Sequence, residues 1–138
     1  MSRVPALLIA ALLLTGCATE NMRSKQTVLD ETLRSYAATI RWGDIGQAQA
    51  FIKPDLREKQ APSALELARY EQVRITGYDE MQVQPIDESE VRQTVRIDLV
   101  NVNTQAARSL VDRQTWRYDE ETKRWWLVSG LPDISRRD

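Results

Sequence analysis

Val91-Arg92-Gln93-Thr94-Val95-Arg96-Ile97-Asp98-Leu99 decides how this chain folds. Val91, Val95, Ile97 and Leu99 alternate with Arg92, Thr94, Arg96 and Asp98, the period of two shown by a strand with one buried and one wet face. Toward the C-terminus a third strand is expected from about Ala107 to Tyr118, with Leu110, Trp116 and Tyr118 on one side. A fourth is expected over Arg124 to Ser129, and the polar Asp119-Glu120-Glu121-Thr122-Lys123 between them suits a hairpin. On the other side of the deciding stretch, Val73, Ile75, Met81 and Val83 fall on one face of a first strand, with Gly77 marking a bulge or bend.

Before Glu71 the period is 3.6. Leu29, Leu33, Tyr36, Ala37 and Ile40 form one apolar helical stripe, and Gly43 is placed to end it in a left-handed turn. Asp44 then caps a second helix, with Gln47 three residues on; this helix carries Ala48, Phe51 and Ile52 and stops near Pro54. Ser63 and Glu66 write a third start, for a helix running to about Tyr70. Helices first and a meander of strands after them imply an α+β domain, its N-terminal helices packed on one face of a curved, mostly antiparallel four-stranded sheet.

The chain has 138 residues, the length of one domain. Its first 16 residues stand apart: Arg3 is their only charge, and an apolar run extends from Val4 to Leu14. That is the pattern of a secretory signal peptide. The run falls short of the ~20 apolar residues needed to cross a bilayer. Leu14-Thr15-Gly16-Cys17 follows directly and resembles the lipobox of bacterial lipoproteins. The resemblance implies cleavage between Gly16 and Cys17 and acylation, with palmitate-type chains, of Cys17, whose thiolate is the nucleophile. A buried free thiol is the bland alternative, but Cys17 is the only cysteine and lies outside any foldable core. The expected organisation is a signal peptide over 1–16, a lipidated tether over 17–25, the α+β domain over 26–133 and a polar tail over 134–138. Ala18, rather than Asp, follows the anchor. In enteric lipoproteins this favours the periplasmic face of the outer membrane, with the inner membrane as the other address.

The helix order leads through Trp42-Gly43-Asp44 into a short helix ending at Pro54-Asp55, and Arg124-Trp125-Trp126-Leu127-Val128 comes late. Over most of residues 26–131 this resembles the cone-shaped nuclear transport factor 2-like superfamily. The resemblance implies a cone with a pocket open at one end, in which ketosteroid-isomerase-like members place Tyr and Asp. Here Tyr36 lies on the helical stripe, while Asp112 and Gln114 share the parity of Leu110 and Trp116. A carboxyl group in an apolar pocket can stay protonated and donate, or act as base. The plainer reading, preferred here, makes Tyr36 a core aromatic and leaves Asp112 in solvent or paired with Arg108 or Arg113.

Several chemistries are excluded by composition. The chain has no histidine, which removes Ser-His-Asp and Cys-His catalysis and the commonest zinc ligand. No metal and no cofactor are expected, because the five glycines are dispersed and form no phosphate loop. The net charge of −1, or −2 without Arg3, carries no footprint for nucleic acid. Of Trp42, Trp116, Trp125 and Trp126, the adjacent pair Trp125 and Trp126 must point to opposite faces of a strand. One fills the core and the other must be covered; cover by the chain's own helices and terminus is the preferred reading, and cover by a partner makes this pair the binding candidate. The function expected is a non-enzymatic, membrane-anchored envelope module that binds a protein partner or an apolar ligand. The alternative is a small-molecule isomerase, cyclase or hydrolase using Asp112 and Tyr36.

Overall fold

The computed structural model describes residues 6–136, with side chains from Glu20 onward. Met1–Pro5 and the side chains of the lipobox, Cys17 included, lie outside the described residues. The elements run α1 (Ala6–Arg41), α2 (Ile45–Ala48), two 3-10 turns, α3 (Arg57–Gln60), α4 (Ala64–Glu71), β1 (Val73–Pro85), β2 (Glu90–Asn101), β3 (Ala107–Asp119) and β4 (Arg124–Leu127). The strands form one antiparallel sheet in sequence order, β1-β2-β3-β4. The helices pack on one of its faces, as the change of period in the sequence requires.

The stripe of α1 is buried at Leu29, Leu33, Tyr36 and Ile40. Gly43, at φ +75°, turns the chain out of the helix, and the Asp44 carboxylate accepts from the Gln47 backbone N–H at 2.9 Å. Beyond that cap the expected second helix lasts a single α turn and tightens into a 3-10 turn over Gln49–Phe51. The reason lies in the sheet: Ile52 makes a parallel bridge to Leu127 and Lys53 N–H donates to the Leu127 carbonyl, so this backbone must be extended. At α4 both halves of the capping box form, Glu66 N–H to Ser63 Oγ at 3.2 Å and Ser63 N–H to Glu66 Oε2 at 2.7 Å. A cap of this kind stabilises a helix end by about 1 kcal/mol.

In β2, Val91, Val95, Ile97 and Leu99 are buried and face the helices, as their alternation demands. β1 departs from simple parity. Its register against β2 slips between Ile75 and Gly77 and again between Glu80 and Gln82. Each extra residue reverses which face the following side chains take. Tyr78 therefore points inward opposite Ile97, while Met81, expected on the inner face, occupies the second slip and is 60 % exposed. Val83 regains the inner parity opposite Gln93 but lines an open groove between α1 and β1.

The core centres on Trp116, which meets Tyr36 edge-on at 5.1 Å; Tyr36 in turn meets Phe51 at 5.3 Å. Two segment boundaries differ from expectation. Residues 18–25, read as a tether, continue α1 without a break, and the Lys25 carbonyl accepts from Trp125 Nε1 at 3.0 Å. The tail read as polar begins with Ile134, a core residue. Its backbone carbonyl is bonded by Arg108 Nη2, and that of Arg136 by Arg108 Nη1 at 2.8 Å.

Candidate functional site

Two places gather the side chains that could carry function. The first is a polar cluster on the inner face of the sheet. Strand parity aims Leu110, Asp112, Gln114 and Trp116 at the helices. Gln114 is fully buried and fully bonded: Nε2 donates to Asp112 Oδ2 at 2.9 Å and to the Tyr78 hydroxyl at 3.0 Å, and Oε1 accepts from Trp116 Nε1 at 3.1 Å. Asp112, expected on the preferred reading in solvent or paired with Arg108 or Arg113, is instead turned inward, largely desolvated, and takes its hydrogen bond from Gln114. Arg108 is committed to the C-terminal carbonyls, and Arg113 is exposed on the outer face.

Desolvation raises the Asp112 carboxyl from its ordinary value to about 6, partly opposed by the Gln114 hydrogen bond and by the charge of Arg136. Burial pushes the Tyr36 phenol well above its usual range, with the negative charge of Asp112 adding to the effect. Tyr70 and Tyr78 are raised for the same two reasons. Tyr36 is therefore a neutral phenol that can donate a proton in a hydrogen bond but cannot act as a base near neutrality. No hydrogen bond joins it to Asp112: its hydroxyl, like both amide atoms of the buried Gln93, has no partner among the described residues. The cluster contains a carboxyl group able to exchange a proton near pH 6 and an idle phenol, without a bond that couples them.

The second place is a pocket of about 290 Å³ at the C-terminal end of α1. Ile40, Ile45, Ile75, Ile97, Pro132 and Ile134 form its apolar wall, and Tyr70 closes one side with its hydroxyl donated to the Pro132 carbonyl. Asp112 is not among the lining residues; it lies one rung along the sheet, since Ile97 pairs with Leu110 and Val95 with Asp112. At the rim stands Trp42, 87 % exposed.

The adjacent tryptophans take opposite faces, and both are covered by the chain itself, the preferred expectation. Trp125 and Trp126 are both only 5 % exposed. Trp125 fills the inner face beside Tyr118, at 5.3 Å. Trp126 points outward but is covered by the guanidinium groups of Arg124 at 4.5 Å and Arg57 at 5.7 Å, and its Nε1 donates to Thr122 Oγ1 at 3.3 Å. The open tryptophan is Trp42. Its signal was present in the sequence: it lies two residues past Ile40, off the buried stripe and directly before the glycine that ends the helix. Tyr70, Tyr78 and Gln93 were also missed, because their inward aim depends on a helix-to-strand junction, a bulge and a cross-strand pairing.

Among the described residues no group of Asp, Glu, Cys or His side chains could hold a metal ion. Among them, too, no helix is long and apolar enough to cross a membrane.

No protein-family model matches the chain, and no functionally curated protein matches it in sequence. Solved structures do resemble it. A ketosteroid isomerase-like protein from Erwinia carotovora atroseptica aligns with a TM-score of 0.53 at 15% identity, over 74% of this chain and 89% of that one. A sec-c motif containing protein from Psychrobacter arcticus aligns at 0.58 and 6% identity, over 80% of this chain and 63% of that one. At such identities the likeness concerns the fold alone: this is an α+β domain of the nuclear transport factor 2-like, ketosteroid isomerase-like fold.

Proposed function

We propose that this chain is a membrane-anchored envelope lipoprotein whose α+β domain is a non-enzymatic binding module for a protein partner or an apolar ligand. The observation that carries the binding half is Trp42, held open at the rim of an apolar pocket. Large aromatics exposed beside a concave apolar surface are the side chains that contribute most when an interface forms. The anchoring half rests on Leu14-Thr15-Gly16-Cys17, and the outer membrane as its address on Ala18. Metabolic labelling with a palmitate analogue tests the anchor: Cys17→Ser is expected to lose all label, and retained label sinks it. A photo-crosslinking residue at position 42 tests the module in intact cells. It is expected to trap a partner or ligand that the same probe placed at Arg113, on the outer sheet face, does not.

A second reading has one observation in its favour, the Asp112 carboxyl raised to about 6 on the same inner face as the unpartnered Tyr36 hydroxyl. It makes the domain an isomerase, cyclase or hydrolase. It requires turnover with an inflection near pH 6 that Asp112→Asn removes. Turnover indifferent to that variant would dispose of it.

A further inference from the structure

The apolar walls of the Trp42 pocket do not account for the charges at its rim. Arg41, from the last turn of α1, and Arg74, from the start of β1, both line it and both are exposed. Neither is hydrogen-bonded or ion-paired among the described residues. Among them Arg34, Arg69 and Arg113 are likewise without a hydrogen bond or ion pair, whereas Arg96 bonds Asp79 at 2.6 Å, Arg117 bonds Glu90 at 3.2 Å and Arg57 holds the Ile52 and Ala50 carbonyls; what sets Arg41 and Arg74 apart is that they share this rim. One carboxylate, Glu71, shares the rim and is likewise unpaired. Two free guanidinium groups from separate elements, set against one carboxylate, leave the mouth of an apolar pocket net positive. A guanidinium group presents planar paired donors that fit a carboxylate or phosphate and stacks well beside an aromatic ring.

We propose that this pocket binds a small amphipathic acid. Its apolar body lies among Ile40, Ile75, Ile97 and Ile134 against Trp42, and its anionic head meets Arg41 and Arg74. This rests on the binding-module reading above and gives that site a ligand class. The volume limits the body. About 290 Å³ is at the small end of the ~300–1,000 Å³ that ligand pockets span, so one aromatic ring or a short acyl chain fits and a fused polycycle does not. The position selects a dissolved ligand over a lipid of the anchoring membrane. The middle of α1, at Asn21, Lys25 and Leu29, lies beside Pro85, Asp87 and Trp125, and from Lys25 to Arg41 the helix carries the pocket about 24 Å further along its axis, away from Cys17, at 1.5 Å per residue.

The test uses the full chain in lipid nanodiscs, with octanoate and 3-phenylpropionate as probes and octanamide as the uncharged control. Because Trp116, Trp125 and Trp126 are buried, acrylamide quenching of tryptophan fluorescence reports chiefly on Trp42. Both acids are expected to shield Trp42, at concentrations at least tenfold below that of the amide. The double variant Arg41→Gln/Arg74→Gln is expected to lose this preference while shielding by the amide persists, and Glu71→Gln to tighten acid binding. Both arginines are exposed, and an unchanged circular dichroism spectrum shows the variant folded. Equal shielding by acid and amide, or a preference that survives the double variant, overturns the anionic head and leaves the pocket reading standing. Shielding by neither overturns the inference together with the small-ligand half of that reading, leaving only a protein partner.

Discussion

The inner face of the sheet and the rim at the end of α1 both gather polar and aromatic side chains, but only one is wired internally. Gln114 has bonds to Asp112, Tyr78 and Trp116 that use both its amide atoms. At the rim the side chains of Trp42, Arg41, Arg74 and Glu71 have no polar partner among the described residues. Polar groups under the sheet are out of reach of water, so the bonds of Gln114 lie within the molecule, although the Tyr36 hydroxyl and the Gln93 amide there have no partner among the described residues. Those at the rim are already solvated, so their clustering contributes little to folding. The contrast teaches that the first region is tied to stability, whereas the second is free to serve something outside the molecule.

The comparison breaks first at Trp126 and Trp42, both aimed away from the core and differing only in cover. Trp126→Ala is expected to cost about 3 kcal/mol or more, as for other buried tryptophans, whereas Trp42→Ala should stay within about 0.5 kcal/mol. Urea unfolding of the two variants gives the answer; equal losses would mean that exposure is a poor guide here. Next comes Gln114→Leu. It strands the indole N–H of Trp116 and the hydroxyl of Tyr78 in the interior, and each stranded group costs about 1–3 kcal/mol. A loss under about 1 kcal/mol would show that the cluster contributes little to stability.

The smallest effect sharpens the contrast through pH. In the native domain the Asp112 carboxyl keeps its proton up to about 6, while in the unfolded chain it releases it near 4. Between those values the native state binds more protons, so stability falls as pH rises through the window and is lowest above it. Tyr36, Tyr70 and Tyr78 stay neutral there, so the carboxyl is the group of this cluster that titrates. Asp112→Asn should flatten the fall and raise stability at pH 7.5 by roughly 1–2 kcal/mol. An unchanged slope between pH 4 and 6.5 would place the titrating group elsewhere.

Most of the fold was legible because its signals are local. The α1 stripe, the Ser63–Glu66 capping box, the alternation of β2 and the inward parity of Asp112 and Gln114 each follow from spacings within one element. What escaped depends on pairing or cover. Gly77 did announce the first bulge, where a Cβ would lie 2.7 Å from an Asp98 carboxylate oxygen. The slip beside Met81 has no glycine to announce it. Trp126 takes part of its cover locally, from Arg124 and Thr122, and the rest from Arg57, far away in sequence, while Trp42 stays open. For the same reason Ile134 read as part of a tail, its burial depending on a guanidinium group carried by β3.

Ile134 also forms a partition. It lines the 290 Å³ pocket under Trp42 and, on its other side, a polar cavity of about 450 Å³ bounded by Arg69, Asn101, Thr104 and Arg108. Arg108 holds this segment through main-chain carbonyls, which every residue type supplies. The attachment of the wall is thereby separated from its bulk. Ile134→Ala would join two small compartments into one long, half-polar cleft without cutting the bonds that hold the segment. The size of this space is thus set at Ile134 together with Val73 of β1, which lines both compartments as well.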